Sequence, residues 1–185
     1  YQIHLYLREL ATGTVMRLTK GVGQASSLAW HGDGNQLAYS WRSDDGHSVI
    51  VWSASAASEV RYPISGSPIS GLVWSPDGKM LAGVRWTPQR HPNNRGSLPG
   101  VPPPEIKVVR RLRYKQDGTG WVHDRFLQIW LLDLEVGNLH QLTTSECDYM
   151  EPSWSQNGDR LAFVGLAREQ NSELGQGQIL IYDLK

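Results

Sequence analysis

Four cations crowd into six consecutive residues: Arg110, Arg111, Arg113 and Lys115. A guanidinium is a rigid fork of donors that matches the edge of a carboxylate or a phosphate. On an extended strand Arg111, Arg113 and Lys115 share one face, and Arg110 takes the other. Three uses fit such a cluster. One is a solvated basic hairpin, or a hairpin paired with acidic residues elsewhere. The second is a site for a peptide carboxylate or a substrate backbone. The third, a nucleic-acid contact, is disfavoured, because the cluster is short and carries no base-stacking motif.

Bond-making chemistry finds little support. A serine hydrolase elbow needs Gly-x-Ser-x-Gly, and Ser65-Gly66-Ser67-Pro68-Ile69-Ser70-Gly71 has the composition without the spacing. His-Glu-x-x-His, a phosphate-binding Walker loop and Cys-x-x-Cys do not occur. The histidines are scattered: His4 and His140 read as strand residues, His31 and His47 as turn residues, and His91 and His123 fall in an insertion. Cys147 is the lone cysteine, cannot form an internal disulfide, and reads as a small packing residue. Asp33, Asp77 and Asp159 recur in turns, where turn-making explains them better than acid–base work. The expectation is a chain with no catalytic residue, no metal and no cofactor of its own. Formal net charge is zero, so no global field draws it to nucleic acid or anionic lipid. No apolar run approaches the ~20 residues of a membrane helix, and the start at Tyr1 shows no charged-then-apolar leader.

What holds the cations is a repeat. Leu28 to Ser40 reads LAWHGDGNQLAYS, Leu72 to Val84 LVWSPDGKMLAGV, and Pro152 to Val164 PSWSQNGDRLAFV. The aligned columns are Trp30, Trp74, Trp154; Gly34, Gly78, Gly158; and Leu37-Ala38, Leu81-Ala82, Leu161-Ala162. Asp or Asn folds back on the backbone and Gly takes positive φ, so each copy predicts a hairpin. Between copies lies a second repeat. Leu5 to Thr19, LYLRELATGTVMRLT, aligns without a gap on Ile129 to Thr143, IWLLDLEVGNLHQLT. Val51 to Ser65 fits the same frame more loosely, and Ile179 to Lys185 fits its first half.

Two hairpins make a four-stranded unit, and Trp30 to Trp74 is 44 residues. That period is the mark of a β-propeller, whose blades cannot bury their faces alone and must stack around an axis. The predicted fold is all-β: a partial β-propeller of about three to three and a half four-stranded blades. Residues 1–21 form half a blade, 22–65 a blade, 66–146 a blade carrying an insertion at 87–126, and 147–185 an incomplete blade. An open array leaves strand edges that invite association, so a homo-oligomer is one possible partner state.

The insertion divides in two. Thr87 to Pro104 holds six of the ten prolines and reads as a loop, since proline denies ladder hydrogen bonds. Glu105 to Arg125 alternates well enough for an added hairpin turning at Gln116-Asp117-Gly118. From Arg85 to Arg125 the chain is net +6, leaving the remainder net −6.

The Trp-Ser-Pro-Asp-Gly-x-x-Leu-Ala repeat resembles PD40-type propellers, relatives of WD40, found in Tol-system proteins and in the prolyl oligopeptidase family. The stretch from Glu105 to Val164, with its Arg-x-x-Tyr…Asp-Gly-x-Gly hairpin, Leu-Trp-x-x-Asp-Leu-like strand and Gln-Leu-Thr, resembles the propeller of acylaminoacyl-peptidase-like members. Gln156-Asn157 and Gly32-Asp33 depart from Pro-Asp in two turns. The resemblance implies the non-catalytic propeller of a multi-domain serine peptidase. Such a propeller gates and orients peptide substrate for a separate C-terminal α/β-hydrolase domain. Carried over by position, Arg110, Arg111, Arg113 and Tyr114 become candidates for lining the substrate cavity. No nucleic acid and no membrane partner is expected. A cytoplasmic setting follows from this resemblance, and a periplasmic one from the alternative, a Tol-type protein-interaction propeller.

Overall fold

The computed structural model describes residues 2–88, 115–116, 120–121, 125–167 and 176–184. It is an all-β, partial and open β-propeller. Short strands β1 (Tyr6–Arg8) and β2 (Val15–Arg17) pair alone. Next come β3 (Gln24–Trp30), β4 (Gln36–Ser43), β5 (Gly46–Ser53) and β6 (Ser58–Ile64), an antiparallel sheet in that order. The second four-stranded sheet begins with β7 (Ser70–Trp74) and β8 (Met80–Trp86). A small ribbon, β9 (Lys115–Gln116) and β10 (Gly120–Trp121), interrupts it before β11 (Leu127–Asp133) and β12 (Leu139–Gln141) complete it. A three-stranded sheet follows: β13 (Asp148–Trp154), β14 (Arg160–Ala167) and β15 (Gln176–Asp183).

The Trp-led hairpins share one register: Trp30 pairs with Leu37, Trp74 with Leu81 and Trp154 with Leu161. Their turns are built alike. Ser75 N donates to Met80 O and Ser155 N to Arg160 O, each at 2.9 Å, and His31 N does the same to Gln36 O at 2.8 Å. The carboxylates serve as turn-makers. Asp77 accepts from Ser75 Oγ at 2.6 Å and from Lys79 N at 3.1 Å, and Asp33 accepts from Asn35 N at 2.8 Å. At Gly78, with φ +72°, a Cβ would stand 2.8 Å from Nε2 of His31 in the neighbouring turn, so both the conformation and the close approach require glycine.

Each sheet has two apolar faces, and stacking covers them. One layer joins Leu5 and Leu18 to Leu37, Tyr39, Trp41, Ile50 and Trp52. The next joins Ala38, Val49, Val51 and Ile64 to Ile69, Leu72, Leu81 and Leu132. A third joins Ala82, Val84, Ile129 and Leu131 to Tyr149, Leu161 and Phe163. Period-2 alternation therefore sends odd and even residues of one strand into two successive cores.

Indole hydrogen bonds tie the inner strands together. Trp74 Nε1 donates to Ala29 O at 2.9 Å, and Trp154 Nε1 donates to Val73 O at 3.3 Å. Each acceptor is the residue before the preceding sheet's own Trp. The second repeat is closed by a threonine: Thr19 Oγ1 accepts from Leu5 N at 3.2 Å, and Thr143 Oγ1 accepts from Ile129 N at 3.0 Å.

Two sequence expectations change. The loose copy at Val51 to Ser65 is two residues late. Val51 pairs with Ala38 as Leu131 pairs with Ala82, so Val49 takes the place of Ile129 and Pro63 that of Thr143. A two-residue slip preserves which side chains face which core, so alternation alone does not detect it. His47 is no turn residue: Asp44 and Asp45 make the turn, and His47 stands in β5 opposite Ile64.

Candidate functional site

Arg110, Arg111, Arg113 and Tyr114 lie outside the described residues; of that cluster only the backbone of Lys115 appears, in β9. The roots of the insertion are described, and they carry a different pair of cations. Past the ends of β8 and β11 the ladder continues: Thr87 N donates to Phe126 O at 2.8 Å, and Phe126 N to Thr87 Oγ1 at 3.0 Å. Arg85 and Trp86 end β8, and Arg125 and Phe126 lead into β11.

Beside these roots lies a cleft of about 580 Å³. Its lining includes the connection Ser65-Gly66-Ser67 and Pro63 and Ile64 of β6. Trp86, Trp130 and Leu139 line it as well. None of the described residues lining it is acidic, while Arg85 and Arg125 are both cationic.

Arg85 is only 8% exposed. It stands opposite Gln128 in the β8–β11 ladder, one same-face step from Trp130, and its guanidinium lies 4.8 Å from the centre of that ring. Its Nε donates to Ser67 O at 2.7 Å and its Nη2 donates to Ser65 O. Gly83, opposite Trp130, leaves room for Ile69, whose Cγ1 would be 2.7 Å from an added Cβ. Arg125 covers the Trp86 ring at 5.6 Å, and its Nε donates to Thr87 O at 3.1 Å. Burial works against the charged form of both guanidiniums. His47, paired with the lining residue Ile64, is pushed below the usual imidazole range, first by burial and then by the charges of Arg42 and Arg85. Two guanidinium–indole stacks in a cleft whose described lining holds no acid can hold an anion beside a flat apolar group.

Among the described residues no group of His, Cys, Asp and Glu could hold a metal ion. Cys147 is partly buried, and its carbonyl accepts from Gln128 Nε2 at 2.7 Å. The density of Arg110 to Lys115 draws attention away from Arg85 and Arg125, which are 40 residues apart in the sequence. The available signal is that each cation neighbours an aromatic at a strand end, in Val84-Arg85-Trp86 and Arg125-Phe126.

No protein-family profile matches the chain. "Uncharacterized peptidase YuxL" of Bacillus subtilis (strain 168) is 26% identical over 170 residues, which are 88% of this chain and 25% of that protein. Among solved structures, an acylaminoacyl peptidase of Pyrococcus horikoshii superposes with a TM-score of 0.71 at 14% identity, covering 97% of this chain and 26% of the other. The structure of "putative TolB from Agrobacterium tumefaciens" superposes with a TM-score of 0.56 at 17% identity, covering 97% of this chain and 52% of the other. The chain thus spans about a quarter of the first two and about half of the third. It has an all-β, propeller-like fold resembling those of acylaminoacyl peptidase and related propeller proteins, at low sequence identity.

Proposed function

We propose that this chain is the propeller portion of an acylaminoacyl-peptidase-like serine peptidase. In this reading it covers a hydrolase domain, limits access to short peptides and orients them. The observation that carries the proposal is the superposition of nearly the whole chain on one quarter of an acylaminoacyl peptidase, supported by the likeness to a bacterial peptidase. The inserted arm supplies the substrate contacts: Arg110, Arg111, Arg113 and Tyr114 line the cavity, and peptide is the partner they meet. A cytoplasmic setting accompanies the proposal. The alternative, a Tol-type interaction module, has the lower superposition score.

Reading the coding frame beyond Lys185 tests this. A hydrolase domain with a Gly-x-Ser-x-Gly elbow is expected. A stop codon directly after the repeat overturns the peptidase reading and favours the interaction module. The chain on its own is expected to leave a chromogenic acyl-amino-acid substrate uncleaved.

A further inference from the structure

Arg85 is a buried cation with no counter-charge among the described residues. Among the described residues it meets no carboxylate; its partners are the carbonyls of Ser65 and Ser67 and the face of Trp130. A guanidinium cannot shed its proton at any ordinary pH, so burial cannot be relieved by neutralisation. Carbonyl dipoles satisfy Nε and one hydrogen of Nη2, and the indole face adds attraction, but no described carboxylate compensates the net charge. It borders a cleft whose described lining holds no acid and includes a second guanidinium, Arg125. The charge of Arg85 is felt as far as His47. About 580 Å³ is the size of a small-ligand site, room for a dipeptide. Trp86, Trp130, Pro63 and Leu139 offer flat apolar contact around the charge.

We infer that this cleft binds a free carboxylate carried next to an aromatic or branched apolar side chain, as at the C-terminus of a peptide, with Arg85 as the fixed charge and the tryptophans as walls. The inference stands on the cleft alone and survives if the peptidase reading fails. The arrangement selects for the acid over the amide, because only the acid supplies the missing charge. It selects for a bulky last residue over glycine, because the walls are apolar.

Calorimetric titration of the purified chain at low salt tests it, with three probes: N-acetyl-Gly-Phe acid, its amide, and N-acetyl-Gly-Gly acid. The Phe acid is expected to bind saturably and at least about tenfold more tightly than the amide, as a charge-assisted hydrogen bond allows. Raising the salt concentration weakens the acid and leaves the amide unchanged. Benzoate separates the two sources of such a carboxylate: tighter binding of the peptide acid assigns the site to peptides, and tighter binding of benzoate overturns that assignment. Arg85→Gln removes the preference for acid. If that variant loses its near-ultraviolet circular dichroism, the comparison in the unaltered chain still decides. Equal affinity for acid and amide, or no saturable binding at millimolar concentration, overturns the inference.

Discussion

At the scale of single residues, the inner strands share a device that the alignment conceals. The registers of β3, β7 and β13 each slip between the fourth and the first residue before the Trp, from Ser26 to Ala29, Ser70 to Val73, and Met150 to Ser153. The residue three before each Trp has positive φ: Ser27 at 53°, Gly71 at 59° and Glu151 at 56°. Left-handed backbone suits glycine and strains the other two. Replacing Glu151 with Gly is therefore expected to stabilise the chain by about 0.5–1 kcal/mol, and Gly71→Ala to destabilise it by about 1 kcal/mol. Urea denaturation of the two variants reads both signs, and the same sign for both would refute the shared bulge.

His47 makes a second prediction at this scale. Its Nδ1 is buried and has no partner among the described residues, and its protonated form is disfavoured by burial and by Arg42 and Arg85. The unfolded imidazole takes up its proton near pH 6.5, and the folded one only at lower pH. Stability is thus complete above about 6.5 and declines as the pH falls below it. Asp33 and Asp77 are held below the ordinary carboxylate range, Asp33 chiefly by the Asn35 amide and Asp77 chiefly by the Ser75 hydroxyl, so their losses begin only below about pH 4. Between pH 7 and 5 the stability of His47→Gln should accordingly fall less steeply than that of the unaltered chain; parallel curves would show that His47 does not titrate on unfolding.

At the scale of elements, identical repeat positions have different worth. Ile129 pairs with Val84, and Ile179 pairs with Val164 at the equivalent place in the last sheet. Ile129 is completely buried, whereas Ile179 is 79% exposed. Truncating a buried isoleucine to alanine costs about 2–5 kcal/mol, through lost transfer energy and the cavity left behind. Ile129→Ala should reach that range, while Ile179→Ala should stay within about 0.5 kcal/mol, as surface substitutions do. Comparable losses at the two positions would mean that the last sheet is covered in solution.

At the scale of the whole molecule, stability is divided among the layers between neighbouring sheets, as in other stacked repeats. The indole bonds stitch neighbouring sheets together. Trp154→Phe keeps the ring and removes the bond to Val73, at an expected cost of about 1 kcal/mol. The final sheet presents Ile179 and Ile181, both largely exposed, on the face that the earlier sheets cover with their successors. Exposed apolar faces and open edges promote association. Light scattering over a range of concentrations should show an apparent mass that rises, and that falls back toward the monomer in Ile181→Lys.

The repeat was legible because turn chemistry and alternation are local. Pro-Asp-Gly and its variants reverse the chain wherever they occur, and Trp-to-Leu spacing fixes each hairpin's register. Those same local rules left the two-residue slip at Val51 undetected, since the faces stay the same. They also hid Ser27 and Glu151, whose types give no sign of positive φ. Arg85 and Trp130 are 45 positions apart in the sequence and meet only because β8 and β11 pair across the insertion. By itself the amino-acid order determined that the chain makes stacked, Trp-led sheets. Only the tertiary structure decided which cation is buried with no counter-charge among the described residues and which isoleucine lies bare, because both depend on what the neighbouring sheet brings alongside.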